Sequence, residues 1–230
     1  MTKIKNRTDK LYVKNNPKSP ISESFRFLRT NLNYMNPDRD LKIIGVTSPS
    51  QAEGKSTVVA NLGKALSLES NKVLIIDADL RKPKLNQFFG ILGDVGLSDY
   101  LSREIDYEYL EIIKKTGEEN LDIITNNAIP PNPVELLNSK KMFKLLNKLR
   151  NDYDKIILDT APIIPVSDTV NLAPNLDGVL IVVKANNTTE ELLIKTKDVL
   201  TNVNANIIGV ILNSYNAKAD AQYYSKSYYY

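Results

Sequence analysis

An α/β fold, with a mostly parallel central sheet and helices on both faces, is the class this sequence predicts. Three observations predict it. Short apolar runs bounded by turn residues alternate with helical periodicity through most of the chain, the order that winds a parallel sheet. The runs are apolar nearly throughout rather than alternating, as strands buried on both faces are. The first, Leu41-Lys42-Ile43-Ile44-Gly45-Val46, leads through Ser48-Pro49-Ser50-Gln51-Ala52-Glu53-Gly54-Lys55-Ser56-Thr57 into a helical pattern from Val58 to Leu68. A strand, a tight loop and a helix opening on Gly-Lys-Ser is the setting of a phosphate-binding loop.

In such a loop, successive backbone N–H groups and the positive end of the helix converge on one point, where polyphosphate is held. Ser50, Gln51, Ala52, Glu53, Gly54, Lys55, Ser56 and Thr57 are therefore the candidate nucleotide-binding residues. Lys55 would reach the outer phosphates and the Ser56 hydroxyl would sit on Mg²⁺. The fold expected is thus P-loop NTPase-like. One position departs from the usual motif: Pro49 stands where its first Gly would be. Proline lacks an N–H and fixes φ, so that end of the loop must differ from the common form.

The 230 residues suffice for one α/β domain with decorations. Without cysteine there is no disulfide or thiol chemistry, and without histidine there is no phosphohistidine and no Ser-His-Asp triad. Any general base must be a carboxylate or a lysine. No apolar run approaches the ~18 residues of a membrane span, and the N-terminus has no signal-peptide pattern, so the chain is expected to be soluble and cytoplasmic. The net charge of +3 is uneven: residues 1–40 hold nine Lys/Arg against four Asp/Glu. That basic arm could face anionic lipid or an acidic partner, or simply solubilise. Nucleic acid is not expected, because the basic residues are not interleaved with aromatics.

Taken in order, residues 1–18 read as a flexible arm. Ser19 or Ser22 can cap a helix to about Tyr34, with Ile21, Phe25, Leu28 and Leu32 on one face. On it Glu23, Arg26 and Arg29, three apart, line one stripe: a solvated surface, or an interface in which Arg forks meet a neighbour's carboxylates. Lys72 to Asp79 is an apolar strand ending in acids. Residues 80–120, with four glycines among short helical pieces, read as a mobile surface region. Leu121–Thr125 is a short strand, and Pro130, Pro131 and Pro133 precede a helix from Val134 to Arg150 that buries Leu137, Leu145, Leu146 and Leu149. Strands follow at Lys155–Asp159, Gly178–Lys184 and Asn206–Leu212. A helix from about Thr189 to Thr201, capped at Thr188 or Thr189, joins the last two. Six of the twelve tyrosines crowd the last sixteen residues without aliphatic company other than alanine, so that tail is expected to be disordered.

Phosphoryl transfer needs the γ-phosphate charge neutralised, a metal bridging β and γ oxygens, and a nucleophile in line. Lys55 and Ser56 serve the first two, and Asp77, Asp79 and Asp159, all at strand ends, are the remaining candidates. Each alone could merely cap a turn; together with a phosphate loop in one sheet they read as a nucleotide-triphosphate site. A tyrosine hydroxyl, with a pKa near about 10, needs a base. Asp77 and Asp159 are assigned with Ser56 to the metal and Asp79 to the base, although Asp77 and Asp79 could exchange roles. Arg81 stabilises transferred charge or forms a surface pair.

These segments together resemble the bacterial tyrosine kinases (BY-kinases). They are Thr47-Ser48-Pro49, Glu53-Gly54-Lys55-Ser56-Thr57, Ile75-Ile76-Asp77-Ala78-Asp79-Leu80-Arg81-Lys82-Pro83, Ile157-Leu158-Asp159-Thr160-Ala161-Pro162 and the tyrosine-rich end. The likeness spans roughly residues 19–230 and lies nearest the separately encoded cytoplasmic kinases of capsular polysaccharide synthesis. It implies that the second acidic strand is a Walker A′ element. It implies that Glu23, Arg26 and Arg29 match an E-x-x-R-x-x-R oligomerisation motif, and that Asn213 resembles the residue that reads adenine in related ATPases. Pro130 to Leu137 also looks like a family segment. By resemblance the chain divides into a basic arm and oligomerisation helix (1–40), a kinase domain (41–213) and a tyrosine tail (214–230). The tail would carry autophosphorylation at Tyr223, Tyr224, Tyr228, Tyr229 and Tyr230. ATP and Mg²⁺ are the implied cofactors. A homo-oligomeric ring, the cytoplasmic segment of a transmembrane activator and polysaccharide-biosynthesis enzymes are the implied partners, with recruitment to the inner face of the membrane. Rival readings are a partitioning or septum-positioning ATPase, whose K-G-G-x-G-K-T loop has a lysine where this chain has Ser50, and a nucleotide-gated polysaccharide-assembly module.

Overall fold

The computed structural model describes residues 7–34, 41–69, 71–91, 95–102, 108–126 and 128–215. The expected tail lies outside them from residue 216 on, with Tyr223, Tyr224, Tyr228, Tyr229 and Tyr230. Its strands are β1 (Ile43–Thr47), β2 (Val73–Asp77), β3 (Ile113–Lys115), β4 (Leu121–Ile124), β5 (Lys155–Asp159), β6 (Gly178–Lys184) and β7 (Ile207–Asn213). The helices are α1 (Tyr12–Asn15), α2 (Pro20–Tyr34), α3 (Lys55–Ser67), α4 (Asn86–Phe89), α5 (Leu97–Leu101), α6 (Pro133–Leu137), α7 (Lys140–Asp152), α8 (Asp168–Leu172) and α9 (Glu190–Asn202).

The strands form one sheet in the order β3-β4-β2-β5-β1-β6-β7. All neighbours are parallel except β3, which runs antiparallel to β4 at one edge. The apolar runs explain this: β1 and β2 are buried at every position, and only helices on both faces can cover such strands. Alternate residues serve two cores. Ile43, Leu74, Ile76, Ile156 and Leu158 join one with α5 and α7, while Ile44, Val46, Val73, Ile75 and Ile157 join another with α3.

This bears out the α/β class, and several local expectations change. Residues 7–18 are not a free arm: Leu11 and Val13 are buried. The Val13 N–H donates to Asn61 Oδ1 on α3 at 3.1 Å, and Asn61 Nδ2 donates back to the Lys10 carbonyl at 2.9 Å. On α2, Ile21 is exposed and Ser22 is buried in its place, its hydroxyl donating to the Asn16 carbonyl at 2.7 Å. The stretch read as a mobile surface buries Leu80, Leu85, Phe88, Leu97, Tyr100, Leu101 and Ile112 and contributes β3. The single helix expected from Val134 to Arg150 is two, because Ser139 caps α7 by accepting the Met142 N–H. Helix α8 was not anticipated.

Candidate active site

Strand β5 lies between β1 and β2, so the tips of these three strands share one edge. The loop after β1 faces the acids that end β5 and β2, and Asp77 and Asp159 are lateral neighbours in register. This is the crevice beyond the strand carboxyl ends where open α/β sheets take ligands.

Gly54 starts α3 with φ of 102°, in the left-handed region that glycine allows. A Cβ there would collide with the Asn213 amide. Lys55 follows as the first helical residue and is buried. The loop is laced from outside. Asn213 Nδ2 donates to the Glu53 carbonyl at 2.8 Å, and the buried Glu53 carboxylate accepts from the Lys184 N–H at 2.6 Å and the Thr188 hydroxyl at 2.5 Å. Glu53 therefore anchors the loop to β6 and the turn that follows. The Pro49 carbonyl accepts the Ile164 N–H at 3.3 Å and the Ser48 carbonyl accepts the Ile163 N–H at 2.9 Å. The proline end of the loop is thereby held through its carbonyls, the groups a proline retains.

Asp77 is fully buried. One carboxylate oxygen accepts the Lys84 and Leu85 N–H groups at 2.8 and 2.9 Å, and the other has no hydrogen-bond partner. Burial, with the Asp159 charge beside it, pushes its pKa well above the ordinary carboxylate value. Neither oxygen of Asp159 has a hydrogen-bonded partner of good geometry. Burial raises its pKa to about 6, Lys55 and the nearby Ser56 hydroxyl pull it down, and Asp79 pushes it up. Lys55, Ser56, Asp77, Asp79 and Asp159 thus share one electrostatic neighbourhood. Asp79 lies beyond the end of β2, in a turn where its Oδ1 accepts the Lys82 N–H at 3.1 Å.

Buried carboxylate oxygens without partners suit a cation. Among the described residues, no group of three His, Cys, Asp or Glu side chains could hold a metal alone. A magnesium ion carried by a nucleotide fits such a site, because Mg²⁺ draws most of its ligands from phosphate and water and one or two from carboxylates. Asp77, Asp159 and Ser56 are the residues that would contact it.

Other assignments take a definite place. Arg26 pairs with Glu23 on the surface of α2. Arg29 reaches α3, with Nη1 donating to the Ala65 carbonyl at 3.0 Å and Nε 2.9 Å from Glu69. Arg81 grips the buried Asp168, which sequence reading missed, and Lys82 Nζ donates to Gln51 at 2.6 Å across the mouth of the site. No local signal marks Asp168. Thr188 stood only as a candidate helix cap, a place that Thr189 takes.

A phosphate loop, a buried acidic pair beside its lysine and this strand order define a P-loop nucleotide-binding protein. A family model described as an AAA domain matches residues 41–210. Tyrosine-protein kinase YwqD of Bacillus subtilis is 37% identical over 207 residues, covering 90% of this chain and 86% of that protein. Among solved structures, the chimerical protein CapA2B2 superposes with a TM-score of 0.84 at 35% identity, covering 90% of each chain. The kinase domain of the Escherichia coli tyrosine kinase ETK superposes with a TM-score of 0.84 at 31% identity, over 88% of this chain and 79% of that one. The septum site-determining protein MinD of Pyrococcus horikoshii, complexed with Mg-ADP, is more distant, with a TM-score of 0.65 at 25% identity over 79% of this chain and 76% of that one. The chain belongs to the BY-kinase family of bacterial tyrosine kinases.

Proposed function

We propose that this protein is an ATP-dependent protein-tyrosine kinase that phosphorylates its own C-terminal tyrosines in trans within a ring and regulates capsular or exopolysaccharide synthesis. The observation that carries the reading is the buried Asp77–Asp159 pair, three of whose four oxygens lack hydrogen-bond partners beside Lys55. Family membership and the terminal tyrosine cluster select the acceptor.

The steps follow from the residues. The loop N–H groups and Lys55 would hold the phosphates, and Asn213, bonded to the Glu53 carbonyl, would read the adenine. Ser56, Asp77 and Asp159 would hold Mg²⁺, which would neutralise the charge that develops on the phosphates. Asp79, in a turn rather than in the sheet, accepts the tyrosine proton as the phenolic oxygen bonds to the γ-phosphorus and ADP leaves. Sixteen tail residues span at most about 50 Å, enough to reach a neighbouring subunit. The tail also starts beside the chain's own crevice, because β7 ends at Asn213, and mixing inert with tail-less subunits separates the two routes.

By the same reading, Glu23, Arg26 and Arg29 support the ring and the cytoplasmic segment of a transmembrane protein activates it at the membrane. Polysaccharide-biosynthesis enzymes are further substrates. On that reading Arg29→Ala should dissociate the oligomer while retaining ATP binding; because Arg29 also braces α2 on α3 within the subunit, loss of both would mark a folding defect. Phosphates add about −1.5 to −2 charges each to a tail in which Lys218 and Lys226 oppose only Asp220, and packed tails would then repel.

The test mixes a Lys55→Met subunit with an active subunit truncated after Asn213, in ATP, Mg²⁺ and the activator segment. Phosphotyrosine on the inert subunit's tail is expected. Free phosphate without phosphotyrosine, from wild type as well, would favour a switch ATPase instead.

A further inference from the structure

We infer that Arg81 and Asp168 form a strut that positions Asp79 for proton transfer, an inference that rests on the kinase reading above. Arg81 lies two residues beyond Asp79. Its Nε and Nη2 donate to the two oxygens of Asp168 at 2.7 and 3.0 Å, a two-pronged grip. Asp168 is 0% exposed and opens α8.

The segment that brings Asp168 there belongs to the frame of the phosphate loop. Thr47 Oγ1 donates to the Ala161 carbonyl at 2.9 Å, the Ile163 N–H donates to the Ser48 carbonyl, and Thr169 Oγ1 donates to the Ala161 carbonyl at 2.6 Å. The backbone before Asp79 is tied to β5 by the Ala78 N–H, which donates to the Asp159 carbonyl at 2.8 Å, so the loosely held part is the carboxylate of Asp79. Its Oδ1 accepts the Lys82 N–H of its own turn, and Lys82 reaches Gln51 in an exposed contact. The grip of Arg81 on Asp168 thus adds a side-chain tie between the far side of the Asp79 turn and the segment that follows β5. With Nε and Nη2 both committed, Arg81 acts through Asp79 rather than on the phosphate, and is a positioning residue.

Removing Arg81 outright would strand a buried carboxylate, so the test uses Arg81→Lys, Asp168→Asn and their double variant. Displacement of the base by about 1 Å should lower kcat for tyrosine phosphorylation roughly 10- to 100-fold in each single variant. KM for ATP should stay near wild type, because ground-state binding is untouched. The double variant should be no slower than the slower single one, since both substitutions break the same strut. Amide exchange at Lys82, whose N–H is bonded to Asp79, should accelerate in both single variants; this readout is independent of turnover.

If Asp168→Asn keeps wild-type kcat while Arg81→Lys loses it, Arg81 acts directly and the strut is overturned. Unchanged Lys82 exchange, or a rate loss matched by loss of ATP affinity, overturns it too. A wild-type protein that transfers no phosphoryl group refutes the kinase reading instead and leaves the strut to be judged on Lys82 exchange.

Discussion

Replacing Asp159 by Asn should stabilise the nucleotide-free protein at neutral pH while removing its response to MgATP. The carboxyl is fully buried, and its pKa rises from 3.8 to about 6. A rise of that size is on the order of 3 kcal/mol favouring the protonated group in the folded state. The sign follows from the raised value: the stability contribution is fully present below pH 3.8, is lost as pH rises through about 6, and leaves a charged carboxylate opposing folding above that. Asn removes the charge, and with it the repulsion that helps to raise Asp77. The attraction of Lys55 is already contained in the value of about 6. An Asn amide N–H without a partner in the buried site would offset part of the gain, so about 3 kcal/mol is an upper bound and a gain of about 1–2 kcal/mol is expected at pH 7.5. For a chain of this length that raises Tm by about 2–8 °C. The assay is thermal unfolding in EDTA across pH 4–8, with and without MgATP. The gain should shrink toward pH 4, where wild type is protonated too, and MgATP should raise Tm in wild type only. A variant that melts lower at every pH, or whose gain is the same at pH 4 as at pH 8, would refute the electrostatic reasoning.

Two further outcomes are expected. Gly54→Ala places a methyl against the Asn213 amide at a φ of 102°, so it should weaken ATP binding more than tenfold, an effect of at least about 1.4 kcal/mol; fluorescent-nucleotide titration measures it, and wild-type affinity would mean the loop simply yields. Asn61→Ala leaves the Val13 N–H and the Lys10 carbonyl without partners and should destabilise the protein by about 2–4 kcal/mol. Faster amide exchange at Val13 should accompany that loss, and unchanged exchange there would show that Leu11 and Val13 hold the segment by packing alone.

The parts of the site that were legible in sequence are those written in contiguous strings. Gly54-Lys55-Ser56 after a buried strand announces its own geometry, and an apolar run ending in Asp places that acid at a sheet edge. Asp77 and Asp159 were legible as strand-end acids of one sheet, whereas their placement side by side follows from the β2–β5 pairing that the structure shows. Asp168 could not: it meets Arg81 across 87 positions, and no periodicity encodes a contact of that span. Periodicity also misplaced Ile21, because the Asn16 carbonyl draws the Ser22 hydroxyl inward and turns that end of α2. Residues 7–18 hold few apolar side chains, so their docking, which depends on an amide of α3, left no hydrophobic trace. Strand β3 is too short to register a period, and the break at Ser139 required reading a cap inside an otherwise continuous helical pattern.

Asn213 is the last residue of β7, and Ser214 follows it with a φ of 60°. The polypeptide thus leaves the sheet one residue from a side chain bonded to the Glu53 carbonyl. The Asn213 carbonyl also accepts the Ala185 N–H at 2.9 Å, so the residue at which the described chain leaves the sheet is shared between the β6–β7 edge and the nucleotide cradle.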